Sequence, residues 1–383
     1  MSTDGKLGPN QRLIGVPGSR AALATPALVL DLDIFEQNLE RMAEIFDGRP
    51  EGIRPHAKTH KCATIARKQM ERGAYGVCCA KPGEAIALAE AGVRSLLLTS
   101  PVVDPYKVET LVGLRGGLDE LIFAVDSERA VDLLARAAGT AGVVISVLID
   151  VGVGNNRTGA RSTEAAVALG RHITAHASLE LLGMQCYAGH VQHIEDPVAR
   201  DAEGRRVLEG IAATKAALTE AFGPLKIVSG GGTGSYDIDL EAKVFNEFQV
   251  GSYVFMDVEY NAVRPRGNAA WPFETSLFVQ TTVVSANVEG RATTDAGYKS
   301  FAMDGPQPIV VSGAPEGTVY KFLGDEHGWV HLPEGAADLA AGDVLSCVTP
   351  HCDPTVNLYD VYHVVRGDML VDIWPIEARG RNW

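Results

Sequence analysis

The chain has 383 residues, of which 46% are hydrophobic and 21% charged; it is long enough for two domains with cores of their own and does not have the composition of a disordered polypeptide. Its 48 acidic against 34 basic residues leave a formal charge of −14, which argues against nucleic acid or an anionic membrane as a partner. The stretch from Met1 to about Arg20 has no apolar signal core, no run reaches membrane-spanning length, and the six cysteines form no disulfide framework, so a soluble protein of the reducing cytoplasm is expected.

From about residue 27 to 256 the sequence repeats one unit, a short β-rich run, a polar loop and an amphipathic helix. The runs end at Arg54–Lys58, Gly76–Lys81, Ser95–Ser100, Leu121–Asp126, Val144–Val151, Gly183–Gly189, Lys226–Gly232 and Phe248–Phe255. Between them, Ser127–Ala138, Ser162–Ala177 and Ala202–Ala221 place apolar residues every three or four positions, as in helices packed on a sheet. This α/β alternation predicts a parallel sheet closed into a (β/α)8 TIM-type barrel over 27–264, with chemistry at the C-terminal ends of its strands.

Lys58, in Arg54-Pro55-His56-Ala57-Lys58-Thr59-His60-Lys61, falls at the first such end. A lysine crowded by His56, His60 and Lys61 is expected to have a lowered pKa and to serve as a Schiff-base nucleophile; the competing reading of such a string is a solvated basic face. Tyr187 and the imidazoles of His190 and His193 follow the sixth strand, and either histidine could act as a base. After the seventh comes Ser229-Gly230-Gly231-Gly232-Thr233-Gly234-Ser235, and at the eighth Gly251-Ser252-Tyr253. Glycines there let backbone N–H groups approach an anion, and the last two loops of this barrel are its recurrent phosphate site. An amine and a phosphate cradle on one mouth point to pyridoxal 5′-phosphate. A sugar-phosphate aldolase would share both features, but its lysine more typically lies on a middle or late strand.

From 265 to 383 the texture becomes all-β, with runs at Leu277–Asn287, Pro308–Ser312, Val319–Leu323, Asp343–Val348, Asp360–Val365 and Met369–Ile376. The segment ahead of the first barrel helix, about Leu13 to Asp33, is expected to lend this domain a strand, from within 12–26. His351-Cys352-Asp353 follows a strand; on an extended segment the imidazole and the carboxylate would share a face and offer an N/O pair suited to Mn2+, Mg2+ or a similar dication. Asp295 and His327 read equally as functional groups or as hairpin-turn chemistry.

These strings together resemble the D-threonine aldolase family, including 3-hydroxy-D-aspartate aldolases, within the fold-type III pyridoxal phosphate enzymes that also include D-serine dehydratase and alanine racemase. The resemblance runs nearly the full length and adds Gly76-Val77-Cys78-Cys79, Asp150-Val151-Gly152, Gly251 through Asp257, Asp295-Ala296-Gly297, Asp325-Glu326-His327-Gly328, His351-Cys352-Asp353-Pro354-Thr355 and Ala378-Arg379-Gly380. It implies cofactor attachment at Lys58, phosphate contacts around Gly231, Gly232, Thr233, Gly251, Ser252 and Tyr253, ring-side contacts from Tyr187 and Arg157, a dication on His351 and Asp353, and a base at His193. It also implies a homodimer and retro-aldol cleavage of a D-3-hydroxy amino acid to glycine and an aldehyde. Ala80 stands where many relatives have Gln, and Ala188-Gly189-His190 departs from the usual neighbours of Tyr187. The dehydratases of the group typically carry His-x-Cys, so Asp353 favours the aldolase over D-serine or 3-hydroxyaspartate dehydration. A second carboxylate on the substrate would want a cation, for which Arg264 and Arg266 are the candidates. A non-catalytic pyridoxal phosphate carrier would need Lys58 and the glycine loop but not His351-x-Asp353.

Overall fold

The computed structural model describes residues 7–154 and 156–383; of the polar N-terminal stretch, residues 1–6 lie outside the described residues. The first strand, β1 (Ala27–Asp31), belongs to the second sheet, and Asp31 then caps the helix Leu32–Phe46 by accepting from Ile34 N at 3.3 Å. Eight parallel strands follow: β2 (Gly52–Ile53), β3 (Val77–Cys79), β4 (Ser95–Leu98), β5 (Glu120–Val125), β6 (Ile145–Asp150), β7 (Leu179–Cys186), β8 (Ile227–Gly230) and β9 (Glu247–Phe248). They pair in the order β2-β9-β8-β7-β6-β5-β4-β3. The two ends meet through Tyr75 N to Ile53 O (2.9 Å), Cys78 N to Pro55 O (2.8 Å) and a parallel bridge between His56 and Cys78, which closes the barrel.

Runs such as Leu121–Val125 are apolar throughout because both faces are covered, one by helices and the other by the barrel interior. That interior holds Cys78, Leu97, Ile122, Leu148 and Leu182, one from each of five successive strands. Below them Arg54 is buried, binding Glu247 (3.0 Å), Glu120 (2.7 Å) and Ser95 (2.8 Å) at the strand starts. Arg54 and Lys58, four residues apart, therefore serve opposite ends of the barrel.

The second sheet contains β1, β10 (Leu277–Val288), β11 (Arg291–Thr294), β12 (Ile309–Ser312), β13 (Val319–Phe322), β14 (Gly328–His331), β15 (Val344–Val348), β16 (Val361–Arg366) and β17 (Met369–Pro375). Its order is β11-β14-β13-β12-β15-β10-β1-β16-β17, and β10 and β11 also pair, which curls one end of the sheet on itself. The expectation of a strand within 12–26 is corrected. The strand is β1, while 9–22 holds two short 3-10 turns, Pro9–Leu13 and Ser19–Ala22, with Pro and Gly at their boundaries. β11 and β14 were not legible, because Arg-Ala-Thr-Thr and Gly-Trp-Val-His lack the apolar run that marks β12 and β13. Among the described residues no helix is long and apolar enough to cross a membrane.

Candidate active site

The expected extended geometry at His351–Asp353 does not occur. His351 is the N-cap of a short helix, Cys352–Val356, and Asp353 lies in its first turn. Asp257, buried, fixes this turn against the barrel by accepting from Cys352 N (2.8 Å) and Tyr260 N (2.9 Å), and Val258 N donates to Thr349 O at 3.1 Å. The loop after β9 and the turn after β15 are thereby locked face to face.

Across this junction the Lys58 ammonium contacts the Asp353 carboxylate directly. Lys58 lies in a 3-10 turn, Ala57–Thr59, just beyond β2. Its side chain is 39% exposed, so Nζ opens onto the mouth of the barrel. The expected low pKa is corrected. Burial pulls it down, but the charges of Asp353 and Tyr187 outweigh burial and hold it above the ordinary lysine value. The supposed cationic crowd is absent: burial pushes His56 well below the usual imidazole range and His60 down to about 4, leaving both neutral at pH 7. Lys61 turns aside to Asn382 (3.3 Å).

His351 Nδ1 pairs with Asp304 Oδ2 at 2.9 Å, which leaves Nε2 as its second nitrogen. Glu259 Oε2 lies 3.9 Å from His351 Nδ1 and 3.6 Å from His193 Nδ1. The rings of His193 and His351 are 6.3 Å apart, and His193 packs on Tyr260 at 5.0 Å. Burial first, then the charges of His351 and Lys58, lower the pKa of His193, so it stands as a neutral base at pH 7. Sequence reasoning missed Glu259 and Asp304. The first is two residues past Asp257 in a matching string; nothing local marks the second, which reaches the site from the loop after Phe301.

Arg157 stacks over the Tyr187 ring at 5.5 Å, with Tyr187 directly following β7. The loops after β8 and β9 are joined by Tyr253 N donating to Thr233 Oγ1 (3.1 Å). Gly231 has φ +68°, and a Cβ there would lie 2.7 Å from Asp239 Oδ2; a Cβ on Gly251 would lie 2.7 Å from Thr59 Oγ1. That Thr59 hydroxyl is buried with no well-formed hydrogen-bond partner. The close backbone at Gly231 and Gly251, beside Lys58, fits a phosphate monoester. Tyr253 has its amide on Thr233, and its hydroxyl accepts from Gln69 (3.2 Å).

Other expected positions serve different ends. His190 pairs with Glu203 (3.1 Å) on the rim. Asp295 accepts from Thr25, Thr281 and Thr282 N at 2.6–2.9 Å and ties the N-terminal segment to β10. His327 is exposed in the β13–β14 hairpin. Arg266 is bound to Asp201 (2.9 Å) and Glu241 on the outer helices, which removes it as a substrate cation, and Arg264 is exposed.

Residues 30–259 match the alanine racemase N-terminal domain, and 276–365 match a putative serine dehydratase domain. The chain is 39% identical to D-threonine aldolase of an Arthrobacter species over 94% of both chains. It is 34% identical to 3-hydroxy-D-aspartate aldolase of Paracoccus denitrificans, covering 96% of this chain and 95% of that one. The crystal structure of D-threonine aldolase from Filomicrobium marinum superposes with a TM-score of 0.91 at 38% identity, over 95% of this chain and 98% of that one. With a lysine at the barrel mouth, close-packed glycine loops beside it and this likeness over nearly the whole length, the chain belongs to the pyridoxal phosphate-dependent aldolase family of D-threonine aldolase and 3-hydroxy-D-aspartate aldolase.

Proposed function

We propose that the enzyme cleaves D-3-hydroxy amino acids of the D-threonine type to glycine and an aldehyde. The observation that carries this reading is the meeting of Lys58 with the His351–Asp353 turn, because it puts the barrel's amine and an N/O donor pair side by side. Pyridoxal phosphate bound there supplies an electron sink for the carbon–carbon bond that breaks. Lys58 would be the amine that holds it, the amides of Gly231, Gly232, Thr233, Gly251 and Ser252 would take its phosphate, and Arg157 and Tyr187 would contact its ring.

His351 and Asp353 would hold a dication, Mn2+ or Mg2+ by donor type, whose charge would make the substrate's β-hydroxyl more acidic. Asp304 orients His351 through Nδ1. His193 takes the β-hydroxyl proton at Nε2, since its Nδ1 faces Glu259, and the Glu259 carboxylate steadies the imidazolium so formed. Tyr260, packed on His193, fixes the plane of the ring.

We take the barrel to span 27–264 and the β domain 265–383, except that β1 pairs only with β10 and β16 and so belongs to the β domain. A homodimer is supported by exposed apolar side chains on the β domain, among them Ile309, Val311 and Val319. A reducing compartment such as the cytoplasm is supported by six free, buried thiols.

The decisive assay measures glycine release from D-threonine, D-phenylserine and 3-hydroxy-D-aspartate, with and without added Mn2+, alongside pyruvate and oxaloacetate. Glycine with an aldehyde confirms the aldolase, and glyoxylate from the acidic substrate alone would make it a 3-hydroxy-D-aspartate aldolase. A 2-oxo acid with no glycine would overturn the reading in favour of a dehydratase.

A further inference from the structure

We propose that Asp132, His172 and His176 form a second metal site, for a transition-metal dication such as Zn2+, Ni2+ or Cu2+, on the outer helical layer of the barrel. His172 lies in the last turn of the helix Thr163–Thr174, and His176 follows four residues later on the turn that ends it. Side chains four apart on a helical path emerge on one side. Asp132 faces them from the neighbouring helix, Glu128–Ala141, and Ser178 Oγ donates to Ala135 O (3.0 Å), holding the end of the histidine-bearing turn to that same helix.

Both imidazoles aim Nε2 at one carboxylate oxygen: His172 Nε2 is 2.7 Å and His176 Nε2 3.5 Å from Asp132 Oδ1. The ligand atoms of all three residues lie within 4.8 Å of one another. Tetrahedral zinc with arms of about 2.0–2.1 Å separates its ligand atoms by about 3.3 Å. The two observed separations bracket that edge, so small side-chain rotations suffice to admit an ion. A simple ion pair would need only one imidazole. Here the second is brought in as well, and its Nε2 is buried with no hydrogen-bond partner. The side chains are 30%, 33% and 51% exposed, which leaves the remaining coordination positions to water and gives an ion a route in.

Two imidazoles and one carboxylate are borderline donors that select Zn2+, Ni2+ or Cu2+ over Mg2+ and Mn2+. The site is thus chemically distinct from the His351–Asp353 pair, and its existence does not depend on the catalytic reading. By cross-linking two barrel helices in the folded state alone, a bound ion stabilises the fold.

The test is a calorimetric Ni2+ titration at pH 7.5 of the holoenzyme, loaded with pyridoxal phosphate and saturated with Mg2+, as wild type and as the His172→Ala/His176→Ala variant. Wild type is expected to bind one more Ni2+ per chain than the variant and to show a Ni2+-dependent rise in melting temperature that the variant lacks. Asp132→Asn should weaken this site about tenfold, and activity in Mg2+ should be unchanged in both variants. Equal Ni2+ stoichiometry in wild type and the double variant overturns the proposal, as does a melting-temperature gain that survives in the double variant but vanishes in His351→Ala.

Discussion

The ammonium of Lys58 and the carboxylate of Asp353, 295 positions apart in the chain, contact each other at the junction of barrel and β domain. Burial opposes charge on both. Yet the pair holds the Asp353 carboxyl far below the usual carboxylate range and Lys58 above the usual lysine range. Since only the neutral amine condenses with an aldehyde, Asp353 restrains Lys58 while it is free. Asp353→Asn removes the main charge that raises the lysine pKa and leaves the burial that lowers it. Borohydride trapping of pyridoxal phosphate by apo-protein at pH 8 should therefore be several-fold faster in the variant, while glycine formation falls. An unchanged trapping rate would show that the pair does not set the basicity of Lys58.

Chelation should separate the two functions of the mouth. EDTA is expected to suppress glycine release and to leave the absorbance of cofactor attached at Lys58 intact, because His351 and Asp353 lie on the β domain and the phosphate cradle on the barrel. His351→Ala should reproduce the effect. Full turnover after exhaustive chelation would remove the dication from the mechanism.

His193 must be neutral to accept a proton, and its pKa is lowered by burial and by the nearby positive charges of His351 and Lys58. The acid limb of kcat should therefore lie below the usual imidazole value near 6.5, with activity falling only as pH drops through that lower point. His193→Ala should reduce kcat by about 10²–10⁴-fold with a smaller change in KM. An acid limb that persists unshifted in His193→Ala would assign the titration to another group.

Asp239 lies beneath the glycine loop after β8, accepting from Ser235 Oγ (2.6 Å), and burial raises its carboxyl to about 7. A carboxyl with a raised folded pKa binds its proton more tightly when folded. Its contribution is complete below the unfolded value, about 3.9, and is lost as pH rises to about 7. His60, lowered to about 4, has the opposite slope, so the difference between proteins is the informative quantity. The melting temperature of Asp239→Asn minus that of wild type should increase from pH 5 to pH 8. A flat difference would show that Asp239 is not a buried titrating group.

Arg54→Met should destabilise the barrel by about 3–5 kcal/mol, since it leaves the Glu247 carboxylate, 4% exposed, without its cation. Denaturant melts would show it. A loss below about 1 kcal/mol would mean that water replaces the guanidinium at the base of the barrel.

The eight barrel strands, their order of use and the glycine loops were legible in the sequence because they depend on local periodicity and turn chemistry. Leu121–Val125 reads as a strand covered on both faces, and Gly230–Gly234, which a flexible turn would explain equally well on its own, gains its meaning from following the seventh strand. The resemblance named Lys58, His193, His351 and Asp353, and in the structure Lys58 contacts Asp353 while the His193 and His351 rings lie 6.3 Å apart. What the sequence could not decide was how their charges offset one another. His56, His60 and Lys61 flank Lys58 along the chain, yet two are buried and neutral and the third points away, while its true partner comes from the other domain. Asp304 and Glu259 were hidden for the same reason, and the Asp132–His172–His176 cluster spans two helices. Electrostatic energy depends on distance and dielectric in space rather than on separation along the chain, so only the tertiary structure decides it.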